Sequence, residues 1–249
     1  MFDTVRYLLL QVRNADDPMA GHEVECFARA LRCAPEQIRE FDLIAGSPSE
    51  AQLDAVDIVL LGGSGDYCVS RGGAWLDPAL ETMRRLHEAS TPTFASCWGF
   101  QAMAQALGGR VIADPLRAEV GTHEVYLTDR GREDPLFGPM AAAGEFFPAQ
   151  MGHEDVVDRL PDGAVLLAKT RLSNQAFYFP GKPIYCTQFH PELDREKLLD
   201  RLRKYPAYIE RITGMPYDEF VEKQTGESSH ADALLLRFVK LVMNGSQAI

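Results

Sequence analysis

The segment Thr93-Phe94-Ala95-Ser96-Cys97-Trp98-Gly99 restricts the fold more than any other part of the chain. A short apolar run stops at a cysteine, and a helical pattern carrying Met103, Ala104 and Leu107 starts directly behind it, closed by Gly108-Gly109. The same strand-to-turn transition occurs upstream, where Asp57-Ile58-Val59-Leu60-Leu61 runs into Gly62-Gly63-Ser64-Gly65. Val5 to Val12 is almost continuously apolar, as expected of a strand covered on both faces. Between these runs, Val24, Phe27, Ala28 and Leu31 recur at helical spacing and predict an amphipathic helix from about Ala20 to Arg32. Leu76, Leu80, Met83 and Leu86 predict another, and Phe41 to Ile44 predicts a short strand. Strands alternating with helices argue for an α/β fold, a three-layer sandwich around a mostly parallel, doubly wound sheet. In such sheets ligands sit beyond the carboxyl ends of the strands. The Gly62 loop and the Cys97 turn both lie at such ends.

From Val111 to about Phe189 the pattern changes. Glu119–Leu127, Val165–Ala168, Ala176–Phe179 and Ile184–Phe189 read as strands, and Pro180-Gly181-Lys182-Pro183 closes the last two into a hairpin. Behind His190-Pro191-Glu192 the chain becomes charged and helical. Leu198, Leu199 and Leu202 mark one helix, and Leu234, Leu235, Phe238, Val239 and Val242 another. The charges between them alternate in sign, as on solvated helices.

Composition removes several function classes. The formal net charge is −11, so no basic nucleic-acid footprint is present, and an acidic surface repels anionic lipid as well. No apolar run approaches the roughly 20 residues of a membrane span, and the apolar opening lacks signal-peptide flanks. The expected compartment is the cytoplasm. The five cysteines (Cys26, Cys33, Cys68, Cys97, Cys186) are scattered, with no CxxC pair, which suggests neither a disulfide framework nor a zinc site.

Three patterns carry chemistry. A cysteine between a strand and a helix is held exposed at the positive end of that helix, where a thiolate is favoured. This is the cysteine form of a nucleophile elbow, with Gly99 allowing close packing at the turn. A buried structural cysteine would share the same local pattern. His190 and Glu192 follow an apolar strand, and residues two apart in extended chain point the same way, so the carboxylate can orient the imidazole. Taken alone, His-Pro-Glu fits a capped strand end equally well. Gly62 to Gly65 can bring backbone N–H groups close to an oxyanion, yet it matches neither the phosphate loop nor the dinucleotide fingerprint. His123 and His153 sit in the middle region, where a lone histidine is more often a structural residue than a substrate contact.

Together the three patterns occur in the order glycine loop, elbow cysteine, His-x-Glu, each at a strand end. In this arrangement the chain resembles the class I, or triad, glutamine amidotransferase family, and within it stand-alone proteins similar to the glutaminase half of GMP synthase. The resemblance rests on Gly62-Gly63, Cys97-Trp98-Gly99-Phe100-Gln101, Leu107-Gly108-Gly109 and Tyr185 through Glu192. Asp134-Pro135-Leu136-Phe137 and His153 through Pro161 are weaker family-like phrases, and the family's proline behind the paired glycines is replaced by Ser64-Gly65-Asp66.

The resemblance implies a flavodoxin-like sheet, with residues 1–192 as the catalytic domain and 193–249 as a helical extension packed on it. It implies Cys97 as nucleophile, His190 as base and acid, and Glu192 as the group orienting His190. The backbone N–H groups of Gly63 and Trp98 would form the oxyanion hole. Gly62, Gln101, Met151 and Gly152 would hold the substrate, glutamine or a γ-glutamyl small molecule. No metal or organic cofactor is implied. The resemblance leaves open a separate synthetase subunit that receives the ammonia, a free-standing γ-glutamyl hydrolase or peptidase, and a homo-oligomer. A non-catalytic regulatory protein on the same fold is a third reading, against which the intact Cys97, His190 and Glu192 argue.

Overall fold

The structure is a computed structural model that describes residues 4–245. Its strands are β1 (Tyr7–Val12), β2 (Ile38–Asp42), β3 (Ile58–Ser64), β4 (Thr93–Ser96), β5 (Arg110–Ala113), β6 (Glu119–Leu127), β7 (Phe147–His153), β8 (Asp155–Arg159), β9 (Val165–Lys169), β10 (Asn174–Tyr178) and β11 (Ile184–Thr187). The helices are α1 (Met19–Leu31), α2 (Glu50–Asp54), α3 (Leu76–Ala89), α4 (Trp98–Ala106), α5 (Asp129–Glu133), α6 (Arg195–Lys204), α7 (Pro206–Thr213), α8 (Tyr217–Gln224), α9 (Ser229–Asp232) and α10 (Leu234–Gly245).

Nine strands form one sheet in the order β2-β1-β3-β4-β11-β10-β9-β6-β7. The first five pair in parallel, and the order 2-1-3-4 followed by a last strand is that of flavodoxin-like sheets. From β11 outward every pairing is antiparallel, beginning with the hairpin Tyr178↔Tyr185, Phe177↔Cys186. A two-stranded ribbon of β5 and β8 lies apart.

The unbroken apolar character of the central strands follows from their position between two helical layers. Tyr7 and Leu9 of β1, with Ile58 and Leu60 of β3, face α1 and α10 in one core. Leu8, Leu10, Val59 and Leu61, the alternate residues, face α3 and α4 in the other. Alternation along each strand thus sends successive side chains into opposite cores, which is why no polar face interrupts the pattern. α10 joins the first core through Leu234, Leu235, Phe238 and Val239, and α6 to α8 close a third cluster with Val120, Leu198, Leu202 and Phe220.

The expected strand at Phe41–Ile44 sits earlier, at Ile38–Asp42, because Ile38 pairs with Tyr7 and Leu43 already turns to donate to the Gln11 carbonyl. β5, β7 and β8 go beyond the sequence reading. β8 ends in exposed Asp158 and Arg159, and β7 is punctuated by Pro148 and Gly152, so neither shows a clean period.

Candidate active site

β4 ends at Ser96, α4 starts at Trp98, and Cys97 between them has φ 52° and ψ −103°. This is the mirror image of an extended conformation, which a residue with a Cβ enters only at a cost of order 1–3 kcal/mol. The turn is held from both sides. Cys97 N donates to the Thr187 carbonyl at 2.7 Å, and Gln101 N donates to the Cys97 carbonyl at 3.2 Å. It also needs Gly99. A Cβ there would stand 2.5 Å from Leu61 Cβ and 3.1 Å from Ala95 Cβ, so the first turn of α4 rests directly on β3 and β4. The result is a thiol that is 7% exposed, at the head of a helix, facing a cavity.

His190 follows β11, and its N–H donates to the Gln150 carbonyl of β7 at 2.9 Å. Its Nδ1 lies 2.6 Å from Glu192 Oε1, in a fully buried contact. Cys97 lies beside the ring: His190 Cε1 and Cys97 Sγ stand 3.1 and 3.8 Å from the one point a Gly63 Cβ would take. The Cys97 Sγ–H also points at the Gly152 carbonyl, at 3.8 Å. Burial pulls the imidazole pKa down, but the negative charges of Cys97 and Glu192 outweigh it and push it up to about 9. Glu192 shows the opposite balance. Burial raises its carboxyl, while His190 and then Arg201 pull it below the ordinary carboxylate range. Ser96 Oγ is 3.2 Å from Glu192 Oε2 and 3.1 Å from the Leu61 carbonyl, and Arg29 Nη2 donates to the Glu192 carbonyl at 2.9 Å. The structure therefore brings Cys97, His190 and Glu192 together from two strand ends, those of β4 and β11, in the order thiol, imidazole, carboxylate.

Around them lies a cavity of about 570 Å³. Gln101, Met151 and Gly152 line it, as does Trp98. Gln101 Nε2 donates to the Asp155 carbonyl and to Gln188 Oε1, both at 3.1 Å, which fixes the amide at the cavity wall. As the first residue of α4, Trp98 has a backbone N–H with no intrahelical acceptor. Its ring packs beside Trp75, with centroids 5.9 Å apart.

The glycine loop differs from expectation. Gly63 N–H donates to Glu23 Oε1 at 3.0 Å, so the donor expected at the oxyanion hole is spent on a buried carboxylate. Gly62 does not line the cavity. The space beside its Cα is filled by the Glu23 carboxylate, which a Cβ would approach to 2.3 Å. Both expectations are corrected by the same residue, which reaches the loop from α1. His153 does line the cavity. Its Nε2 stands 3.3 Å from Glu119 Oε2, and its Nδ1 3.1 Å from the Asp155 carbonyl. His123 lies outside the cavity, against the Val120 carbonyl.

Sequence reasoning missed Glu23, Arg13 and Arg201. Glu23 is fully buried, and Arg13 binds it from Nε (3.3 Å) and Nη2 (3.2 Å). Glu23 left a signal, since it lies four residues before Phe27 on the buried face of α1. A charge on an apolar helix face is the pattern to look for.

The family described as glutamine amidotransferase class-I matches residues 29–200. The chain belongs to this family. A GMP synthase (glutamine-hydrolyzing) from Phenylobacterium zucineum is 37% identical over 111 residues, which are 44% of this chain and 21% of that one. The chain thus spans about a fifth of that relative's length. Gamma-glutamyl peptidase 3 of Arabidopsis thaliana is 26% identical over 210 residues, 80% of this chain and 79% of that one. Among solved structures, a glutamine amidotransferase from Thermotoga maritima shares the fold with a TM-score of 0.74 at 19% identity, covering 96% of this chain and 97% of its own. One from Methylobacillus flagellatus does so with a TM-score of 0.71 at 16% identity, covering 96% and 95%.

Proposed function

We propose that this class I glutamine amidotransferase family member hydrolyses the side-chain amide of glutamine or of a γ-glutamyl amide through a thioester on Cys97. One observation carries the reading. A cysteine on a strained elbow borders the same point of the cavity as an imidazole whose Nδ1 is 2.6 Å from a buried carboxylate. In the first half, Cys97 sulfur bonds to the amide carbon, the C–N bond breaks, and His190 gives its Nε2 proton to the departing amine. In the second, water bonds to the same carbon, His190 takes a water proton, the C–S bond breaks, and the thiolate is restored. Glu192 holds the imidazolium throughout. The oxyanion donor on this reading is Trp98 N–H, and Gln101, Met151 and Gly152 hold the glutamyl end.

Residues 1–192 form the catalytic unit on this reading, with 193–249 as an extension supplying part of the cavity wall. Among the described residues no helix is long and apolar enough to cross a membrane, which suits the cytoplasmic placement we propose. Two uses of the chemistry remain open. Delivery of ammonia to a separate synthetase is supported by the likeness to GMP synthase. A free-standing peptidase is supported by the length over which the chain matches the Arabidopsis protein.

The test is the purified protein with glutamine and a panel of γ-glutamyl amides, followed by mass spectrometry of quenched reactions. A γ-glutamyl adduct on Cys97, lost in Cys97→Ser, is the expected result. Turnover that survives this substitution would place the nucleophile elsewhere.

A further inference from the structure

Arg201, on α6, lines the cavity with a guanidinium that the protein does not satisfy. Its Nη1 is 3.4 Å from His190 Nδ1, but that nitrogen is already engaged with Glu192. The carboxylates nearest to it, Glu192 and Glu23, stand at 3.9 Å, beyond hydrogen-bond distance. Nε and Nη2 are buried with no hydrogen-bond partner among the described residues. A guanidinium offers five N–H donors in a planar fork, and burying them unpaired is costly. An acceptor placed in the cavity beside Arg201 would meet a guanidinium with donors to spare.

The rest of the cavity points to an anion. Its wall carries five cationic side chains and three carboxylates, on a chain whose net charge is −11. Each carboxylate has partners of its own, and Glu154 takes Arg211 out of the count with it. Asp155 binds Ser70 N and Oγ at 2.8 and 2.5 Å, Glu154 binds Arg211, and Asp66 binds Asn14 at 3.0 Å. Arg13 is likewise committed, to Glu23 and Asp17. Arg201, with its side chain 12% exposed, has no carboxylate closer than 3.9 Å.

Its place relative to the reacting atoms selects the part of the substrate it meets. Nη1 stands 3.6 Å from the position a Gly63 Cβ would take, and Cys97 Sγ stands 3.8 Å from the same point, so the guanidinium borders the reaction centre. Gln101 and Met151–Gly152 are taken by the glutamyl end in the function proposed above, on which this inference rests. Arg201 approaches His190 from the Nδ1 edge of its ring, the edge that Glu192 holds. A cavity of about 570 Å³ also lies within the roughly 300–1,000 Å³ that accommodates a drug-sized ligand, far more than departing ammonia fills. We propose that Arg201 binds a carboxylate on the leaving group, so that the preferred substrates are γ-glutamyl amides of amino acids or peptides rather than free glutamine. The products are glutamate and the free amino acid or peptide, with one water consumed.

The test compares γ-glutamylglycine with γ-glutamylglycinamide, which differ by one carboxylate in the leaving group, and uses glutamine as reference. Wild type is expected to favour γ-glutamylglycine in kcat/KM by about tenfold or more, mainly through KM, as a charge-assisted hydrogen bond provides. In Arg201→Gln the ratio of the two substrates should collapse toward one, whatever the absolute rates, and Arg201→Lys should retain part of it. Titration of γ-glutamylglycine and γ-glutamylglycinamide into Cys97→Ala by calorimetry reads the same preference without turnover and without altering Arg201. A wild-type ratio near one, or a ratio that survives Arg201→Gln, overturns the inference while leaving amide hydrolysis standing. Silence of wild type toward all three amides overturns the hydrolytic reading itself, and this inference with it.

Discussion

The Glu23 carboxylate accepts the backbone N–H of Gly63 at 3.0 Å, while Arg13 grips the same carboxylate from two nitrogens. The shape of the glycine loop is thereby set by a side chain forty positions upstream. Removing Glu23 alone leaves the buried Arg13 guanidinium with only Asp17 as a charged partner. Glu23→Leu is therefore expected to cost about 3–5 kcal/mol, the usual loss when half of a buried ion pair is deleted. Adding Arg13→Met should recover a large part of it, because no uncompensated charge then remains. Urea unfolding of the two single variants and the double variant measures the coupling. Additive losses would show that the pair is not a unit.

Cys97 separates activity from stability. Cys97→Ser should reduce turnover by at least about a thousandfold, yet leave the unfolding midpoint close to wild type, because the hydroxyl fits the same turn. Cys97→Gly should be equally inactive but more stable by about 1 kcal/mol, since glycine enters φ 52°, ψ −103° without a Cβ to strain it. A destabilised glycine variant would mean that the thiol's packing outweighs the strain.

Alkylation distinguishes the cysteines. Burial pushes the Cys26 thiol up to about 12 and Cys33 to about 11, and it raises Cys68 and Cys186 as well. These four are held in the unreactive thiol form at neutral pH. Iodoacetamide at pH 7 should therefore label Cys97 first, as read by peptide mapping. Equal labelling of all five would count against the elbow as a reactive position.

His190 makes stability fall at alkaline pH. Its folded pKa is raised from the ordinary 6.5 to about 9, so the imidazolium's contribution is complete below about 6.5 and is lost as pH rises through 9. Glu192 acts in the opposite direction. Its lowered carboxyl stabilises the fold above the ordinary carboxylate range and gives that up as pH falls. Because part of the His190 shift comes from the charge on Cys97, the alkaline loss should move to lower pH in Cys97→Ser. Proton resonances of the His190 ring followed from pH 5 to 10 in both proteins check this. Identical titrations would show that Cys97 contributes no charge to the pair.

What the sequence disclosed depends on how locally each feature is encoded. β1, β3, β4 and β11 were legible because strands buried on both faces have no polar residue to blur them. Cys97 and the His190–Glu192 pair were legible because the elbow and the i, i+2 relation are local geometry. The Glu23 partner of the Gly63 N–H was not legible because it belongs to another element. Arg201 went unread for a similar reason. α6 is charged along most of its length, and nothing within Arg195–Lys204 says which arginine turns toward His190. Contacts between distant elements decide such roles, and a single chain's periodicity does not carry them.

The contact between His190 Nδ1 and Glu192 Oε1 supports the last prediction. Glu192 is buried, accepts from the imidazole at 2.6 Å and is not among the residues lining the cavity, so its task is to orient and stabilise the imidazolium. Glu192→Gln keeps the shape and removes the charge. The thiol and imidazole still meet, less well placed, and the imidazole loses one of the two negative partners that raise it. The expected result is a fall in kcat of roughly ten- to a thousandfold, smaller than that of His190→Ala, with little change in KM. The pH at which His190 titrates should drop at the same time, which a purely structural role for the carboxylate would not produce. Steady-state kinetics on an accepted γ-glutamyl amide, with circular dichroism to confirm folding, reads the first effect, and the His190 ring resonances read the second. Wild-type activity in Glu192→Gln would reduce the constellation to Cys97 and His190. A loss as deep as that of Cys97→Ser in a folded protein would give Glu192 a direct part in proton transfer.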